Sequence, residues 1–388
     1  MVPGKDAYEV ALLDWLACAA GGAQEPAPRA ARAAGDGLLE RVTAAGAAGH
    51  ALDFDDTYLP GVAHLTAATG PAALVLAAEL GAEIGVAFDA YAAGYEAMGA
   101  MARASHPALY DGGWHPTAVC GAAGAAVACA RLLGLRQERE RSAVALALTR
   151  AGGLRAGFGS DAKPLQVGMA AASGVAAARL AAAGAAADLD RVAAGPGGLA
   201  EAFGASLGTV GGRRAVEENW IKAYPCCLQT HGAIEAALAV REDAGWTERD
   251  AEPLEVAVHR LSLQAAPIAV PAGGLEAKFS IPYLTAFALI HGAPGPGDFA
   301  AIDPAAARLA AERVEVRADP GLTESEAVLV CGGRELARVT AARGSPQRPL
   351  DQAALAEKRR SLAGERLEGA LDDRGAPTAE LLEAAGLR

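Results

Sequence analysis

HALDFDDTY, residues 50–58, packs three carboxylates into four positions and is followed by a further histidine, His64. Acids this close repel one another, and any that is buried also loses its water. At least one pKa must therefore rise unless a cation or backbone N–H groups answer the charge. The plainer alternative is that the three acids lie within one turn of a helix start and that Asp55 or Asp56 caps it. Two later stretches share this character: GGWHPTA at 112–118 and KAYPCCLQTH at 222–231 bring in more histidines and a lysine. Together they point to a site that moves protons.

The rest of the composition sets the frame. The chain has 388 residues, of which 52 % are hydrophobic and only 5 % aromatic, so its core must be built from alanine, leucine and valine. Such a core favours close helix packing, and there is length enough for two domains. The net charge of −12 argues against a nucleic-acid surface, and the short basic run Lys358, Arg359 and Arg360 reads as a solvated helix face. Six cysteines lack zinc-site spacing and are too few for a disulfide scaffold, so reduced thiols and a cytoplasmic location are expected. The apolar stretch 10–20 holds Asp14 and no basic leader, which argues against a signal peptide, and no membrane span is read.

Up to about residue 220 the pattern is helical. Pro71 is read as opening a helix that Gly81 ends, Pro116 as opening another that runs to Gly134, and residues 89–105 and 138–150 as further helices. After about Asp250 the period becomes two: Leu254, Val256 and Val258 alternate, as do Val314 and Val316, and residues 327–331 join 335–340 through Gly332-Gly333, a hairpin signal. Residues 280–291 read as a helix with Pro282 in its first turn. Residues 344–349 look like a linker, and 351–387 return to helical, charged composition. The fold class is therefore mostly α: a large helical domain over 1–221, completed by 346–388, and a smaller α+β lid over 222–345.

The remaining candidates are single residues. His64 sits in a loop, where catalytic groups concentrate. His115 precedes Pro116 at a helix N-terminus, whose field lowers an imidazole pKa and aims donors at an anion; capping is the alternative. Lys163 also precedes a proline and a helix start, which the dipole disfavours for a purely structural lysine and which suits an anionic ligand. Arg155 could assist it or form a surface salt bridge. Lys222 lies between Trp220 and Tyr224, whose rings can desolvate an ammonium. Cys226 and Cys227 are poorly placed to bridge each other, and one could donate a proton. No stretch has the spacing of a metal site, a nucleophile elbow or a dinucleotide fingerprint.

These motifs resemble the MmgE/PrpD family, which includes 2-methylcitrate dehydratase, cis-aconitate decarboxylase and iminodisuccinate epimerase. HALDFDDTY with His64, GGWHPTA, FGSDAKPLQVGMAA, KAYPCC and AKFSIPYLTAFALIHG occur in the family's order over most of the chain. The resemblance implies a helical domain built from both chain ends, an α+β lid, a cleft between them, a homodimer and no cofactor. It places active-site roles on Asp53, Thr57, His64, His115, Lys163, Lys222, Cys227 and Tyr283. The chain departs from the family at three places. Cys227 stands where the decarboxylase has histidine, Gln166 and Met169 interrupt a common KPLHAGRAA pattern, and the loop from Asp53 to His64 is one residue longer than in the decarboxylase, as in the epimerase. A short N-terminal region could also trim the dimer surface.

The chemistry expected from this reading is proton abstraction next to a carboxylate of a small di- or tricarboxylate. His64 is the base, oriented by Asp53; Lys163 and Lys222 supply the stabilising field; His115 or Tyr283 protonates a leaving hydroxyl. Dehydration leads. Epimerisation, with Cys227 as the second acid, follows closely, and a silent scaffold protein is the rival from another class.

Overall fold

The computed structural model describes residues 7–208, 212–243 and 253–388. The change of period placed near Asp250 lies outside them. The fold is mostly α with a smaller α+β part, divided into two compact units. The helical unit comprises Met1–Gly157, Asp161–Ile221 and Leu350–Arg388, and the α+β unit comprises Phe158–Ser160 and Lys222–Pro349.

In the helical unit, Leu38–Ala51, Leu65–Glu79, Ile84–Ser105, Pro116–Leu132 and Ala162–Ala182 surround a core rich in alanine. Small side chains let the helix axes approach closely. A Cβ added to Gly46 would lie 2.8 Å from the Gly168 Cα, and one added to Gly168 would strike the Thr43 carbonyl, so Leu38–Ala51 and Ala162–Ala182 cross backbone against backbone. The crossing sits one turn before His50 and just after Lys163. It therefore brings the end of one helix to the start of the other. Ala162–Ala182 is long and apolar enough to cross a membrane by composition, but more than half of it is buried in this core.

Pro71 does not open its helix. The helix begins at Leu65, with His64 at the N-cap, and Pro71 sits in the second turn, where its Cγ would be 3.4 Å from a Cβ on Gly46. An interior proline ordinarily costs a helix a hydrogen bond; here the whole run from Leu65 to Ala77 is buried, and packing outweighs that cost. The acids of the motif consequently follow a helix end rather than precede a start. Neither Asp55 nor Asp56 serves as a cap, and the next helix caps on His64 without a side-chain bond.

The loop after those acids is closed locally. Strand β1 (Thr57–Tyr58) pairs antiparallel with β2 (Asn219–Trp220), while Tyr58 exchanges both backbone hydrogen bonds with Ala63. Arg103 donates from Nε to the Tyr58 hydroxyl at 2.7 Å. This ties down both ends of the segment between Thr57 and His64.

The basic run near the C-terminus is not a solvated face throughout. Lys358, on the helix Gln352–Ala363, is buried, and its ammonium lies 2.7 Å from Asp14 Oδ1, 2.7 Å from the Phe54 carbonyl and 3.9 Å from the Phe54 ring centre. The ion pair and the carbonyl bond draw it inward against the amphipathic pattern. Because Phe54 lies between Asp53 and Asp55, this lysine pins the acidic loop from behind. Burial pushes the Asp14 carboxyl pKa up, with Lys358 opposing.

In the α+β unit, β3 (Leu254–Val258) runs parallel to β4 (Val314–Ala318) and antiparallel to β5 (Ala327–Cys331), which pairs with β6 (Arg334–Val339), giving the order β4-β3-β5-β6. Gly332 and Gly333 both have positive φ, 55° and 77°, as a tight two-residue hairpin requires. Ser280 caps the helix Ile281–His291, accepting from the Tyr283 N–H.

Lys358→Met is expected to destabilise the protein by about 3–5 kcal/mol, because it strands a buried acid. The double substitution Asp14→Leu, Lys358→Met should regain at least half of that loss. Urea unfolding measures both, and a single variant as stable as the parent would show the pair to be idle.

Candidate active site in the helical unit

Four helix ends meet at the motif. Leu38–Ala51 arrives by its C-terminus with His50 in the last turn; Leu65–Glu79 and Pro116–Leu132 start from His64 and His115 as N-caps; Ala162–Ala182 starts with Lys163 in its first turn. Asp53 turns the chain beyond the first of these. Its φ of 51° is left-handed, a conformation aspartate tolerates better than most residues, and its N–H donates to the His50 carbonyl. The turn sends the carboxylates of Asp53 and Asp55 back toward the imidazoles.

Asp55 is the hub. His50 Nδ1 lies 2.9 Å and His64 Nδ1 3.2 Å from its Oδ2. On the far side of His50, Nε2 is 2.8 Å from Lys163 Nζ, and that ammonium also donates to Asp53 Oδ1 at 3.0 Å. The His50 and His64 rings meet edge to face at 4.4 Å, and His115 stacks on His50 at 6.1 Å. The backbone of His64 donates to Thr117 Oγ1, and that of His115 to the Gly153 carbonyl. Thr57 Oγ1 is 3.4 Å from His64 Nδ1, a flanking contact on the same ring edge as Asp55. All of these side chains are buried, and His64 is the most open at 8 % exposure.

Asp53, Thr57, His64, His115 and Lys163 are thus brought together. Two details differ from the sequence reading. Asp55, not Asp53, holds His64: Asp53 Oδ1 is 3.8 Å from His64 Nε2 and bonds Lys163 instead. Arg155 lays its guanidinium over the Tyr110 ring at 4.4 Å. Gln166, one of the departures from the common pattern, uses both ends of its amide on the backbone of Leu154, fastening the loop before Lys163.

Lys222, Cys227 and Tyr283 belong to the α+β unit. Lys222 is fully buried. The Cys227 thiol lies 3.8 Å from the Ala265 carbonyl, and its backbone N–H donates to the Lys278 carbonyl. The Tyr283 hydroxyl accepts the Asp303 N–H at 3.0 Å, and burial raises its pKa, so it keeps its proton. Neither Cys226 nor Cys227 is in a disulfide.

His50 and the role of Asp55 were not singled out from the sequence. The available signal was faint: a histidine at the end of an alanine-rich helix, three residues before the first acid. His50, Asp55 and His64 also place donor atoms within 4.8 Å of one another, the metal-competent grouping among the described residues. The donor set suits hydrogen bonding better. Asp55 already has a nitrogen of each ring within 3.2 Å, and the Lys163 ammonium against His50 opposes a second cation there.

Environment divides two neighbouring acids. Burial favours the neutral form of Asp55, but the two imidazoles outweigh it and hold the carboxyl well below its usual range. Burial together with the Asp55 charge pushes Asp56 well above 3.8, toward its neutral form, and it accepts from the Tyr95 hydroxyl at 3.3 Å. Burial also lowers His50, against Asp55 and with Lys163, and lowers His115 much further, with Lys163 adding to the effect. Both rings are neutral. Three helix N-termini add positive potential at the same place.

Comparison with known proteins bears on what this cluster is. The MmgE/PrpD N-terminal domain matches residues 39–208, and the MmgE/PrpD C-terminal domain matches residues 224–383. The chain belongs to the MmgE/PrpD family. A cis-aconitate decarboxylase from Mus musculus is 30 % identical over 267 residues, covering 64 % of this chain and 54 % of that enzyme. The cis-aconitate decarboxylase of Homo sapiens is 28 % identical over 356 residues, covering 83 % of this chain and 72 % of its own length. This chain thus spans about half the length of the first of these MmgE/PrpD relatives and nearly three quarters of the second.

The Asp56 assignment has a definite pH signature. A carboxyl whose folded pKa is raised contributes fully below its ordinary value of 3.8, and that stability is lost as pH rises toward the folded pKa. Asp56→Asn, which cannot ionise, should therefore raise Tm by an increment that is small near pH 4 and grows through neutral pH. Thermal scans across that range test it; a constant increment would mean that Asp56 is ionised in the folded protein.

Proposed function

We propose that the protein is a lyase that forms a carbanion next to a carboxylate of a small di- or tricarboxylate. The observation that carries this reading is the His64–Asp55 pair set beside an ammonium and three helix N-termini. With Nδ1–H donated to Asp55, His64 keeps Nε2 unprotonated, 3.8 Å from Asp53 Oδ1. A buried carboxylate behind an imidazole strengthens it as a base and steadies the imidazolium once the proton has moved.

Lys163 has a definite partner in Asp53, so the pair brings little net charge. Its value is a rigid N–H donor directed by two acceptors, and the helix N-termini supply the remaining positive potential. Negative charge developing on the substrate carboxylate would be met by groups already in place. His115, neutral and stacked on His50, would act as a proton donor only through its N–H. Dehydration follows if the carbanion expels a hydroxyl from the neighbouring carbon.

Decarboxylation is the second reading, favoured by the two relatives named as decarboxylases. There the carbanion arises by loss of carbon dioxide, and the His64 imidazolium returns a proton to it. Cys227, where the decarboxylase has histidine, weighs toward dehydration or epimerisation.

Proton NMR in heavy water with citrate-, malate-, aspartate- and aconitate-like acids distinguishes these outcomes. A vinylic product without loss of carbon marks dehydration, carbon dioxide release marks decarboxylation, and deuterium uptake without net change marks epimerisation. With the active acid, His64→Ala and Lys163→Ala should each lower kcat/KM by about 10²–10⁴-fold while circular dichroism is unchanged. Turnover that survives both substitutions would refute the assignment.

A further inference from the structure

We propose that His50 is a positioning residue: a neutral imidazole protonated at Nδ1, whose two nitrogens lock the Asp55 carboxylate to the Lys163 ammonium and so couple the base to the cation. This rests on the reading of His64 as the base.

The hydrogen-bond partners leave little freedom in assigning the ring. An ammonium has no lone pair, so the 2.8 Å contact from Lys163 Nζ requires an unprotonated Nε2 on His50. The proton of the neutral ring is then on Nδ1, 2.9 Å from Asp55 Oδ2, where it is donated to a carboxylate. The alternative, an Nε2–H donated to a neutral lysine amine, would leave Asp55 facing a bare nitrogen and Asp53 facing an amine. That sacrifices two charge-assisted bonds in a buried cluster.

Double protonation is opposed as well, since it would point an N–H at the ammonium. Among the described residues, five titratable groups face this ring or its bonds: Asp55 and Lys163 directly, His64 at its edge, His115 on its face, and Asp53 beyond Lys163. Against 8 % exposure for His64, His50 is 1 % exposed. It does not carry the reacting proton.

The consequence is directional. While His50 donates to Asp55, part of that carboxylate's charge is already engaged, and His64 feels the remainder. Removing the His50 bond strengthens the hold of Asp55 on the His64 imidazolium, so His64 titrates at higher pH. Removing the bond to Lys163 instead frees the ammonium to turn toward Asp53 alone and leaves His64 nearly untouched.

Two substitutions separate these arms. His50→Asn retains an N–H near the Nδ1 position and loses Lys163; His50→Gln retains an acceptor near Nε2 and loses Asp55. Histidine-selective nitrogen-15 NMR, which needs no substrate, reads both the tautomer of His50 in the parent and the titration of His64 in each variant. Expected results are an Nδ1–H tautomer for His50 that becomes mixed in Lys163→Met, and an upward shift of His64 in His50→Gln but not in His50→Asn. With the active acid, the acidic limb of kcat/KM should move up with His64 in His50→Gln, and kcat should fall by on the order of a hundredfold. His50→Asn should act mainly on KM.

An Nε2–H tautomer in the parent, or identical His64 titration in both folded variants, overturns the proposal. If neither variant folds, the tautomer in the parent and in Lys163→Met still decides it. If the parent turns over no acid, the functional reading fails while the NMR result stands on its own.

Discussion

The close crossing of two helices at Gly46 and Gly168 is the constraint on which the site depends. A side chain at either glycine would push the helices apart, and the separation would open at the end where His50 approaches Lys163. The alanine-rich composition of this unit, which looks featureless as sequence, is what allows four helix ends to meet within hydrogen-bonding distance. Larger side chains would have filled the same space with apolar volume and left no room for imidazoles between the helices.

Once the ends have met, the electrostatics follow from solvation and neighbours. Asp55 and Asp56 are adjacent and equally buried, yet one carboxyl is held well below its usual range and the other pushed well above it. The difference is that Asp55 faces two imidazoles, while Asp56 faces neutral partners, Tyr95, Thr66 and Asn219, and the charge of Asp55 itself. The charged form is thus favoured beside His64 and the neutral form at the adjacent acid.

Much of this was legible in the residues. His115 before Pro116, Lys163 before Pro164, Ser280 before Pro282 and the Gly332-Gly333 turn all carry local signals, and the structure follows them. The helix at Leu65 was misjudged because proline is informative about a helix start only when burial is not. There complete burial sustains Thr66, Thr69 and Gly70 as well as Pro71 in helical conformation. His50 was passed over because nothing in its neighbourhood along the chain shows that Lys163, more than a hundred residues later, will meet its second nitrogen. Lys358 misled for a related reason: a basic run scores as solvent-facing until a buried acid from the other end of the domain claims one of its members.

That last contact bears on how the molecule matures. The carbonyl between the two acids of the motif receives its donor from a residue synthesised roughly three hundred positions later. During translation the early helices emerge with Asp14 unmatched and the acidic turn unsupported, and the loop gains its support only when the final helical segment returns to the body, which makes assembly of this cluster a late event in the life of the nascent chain.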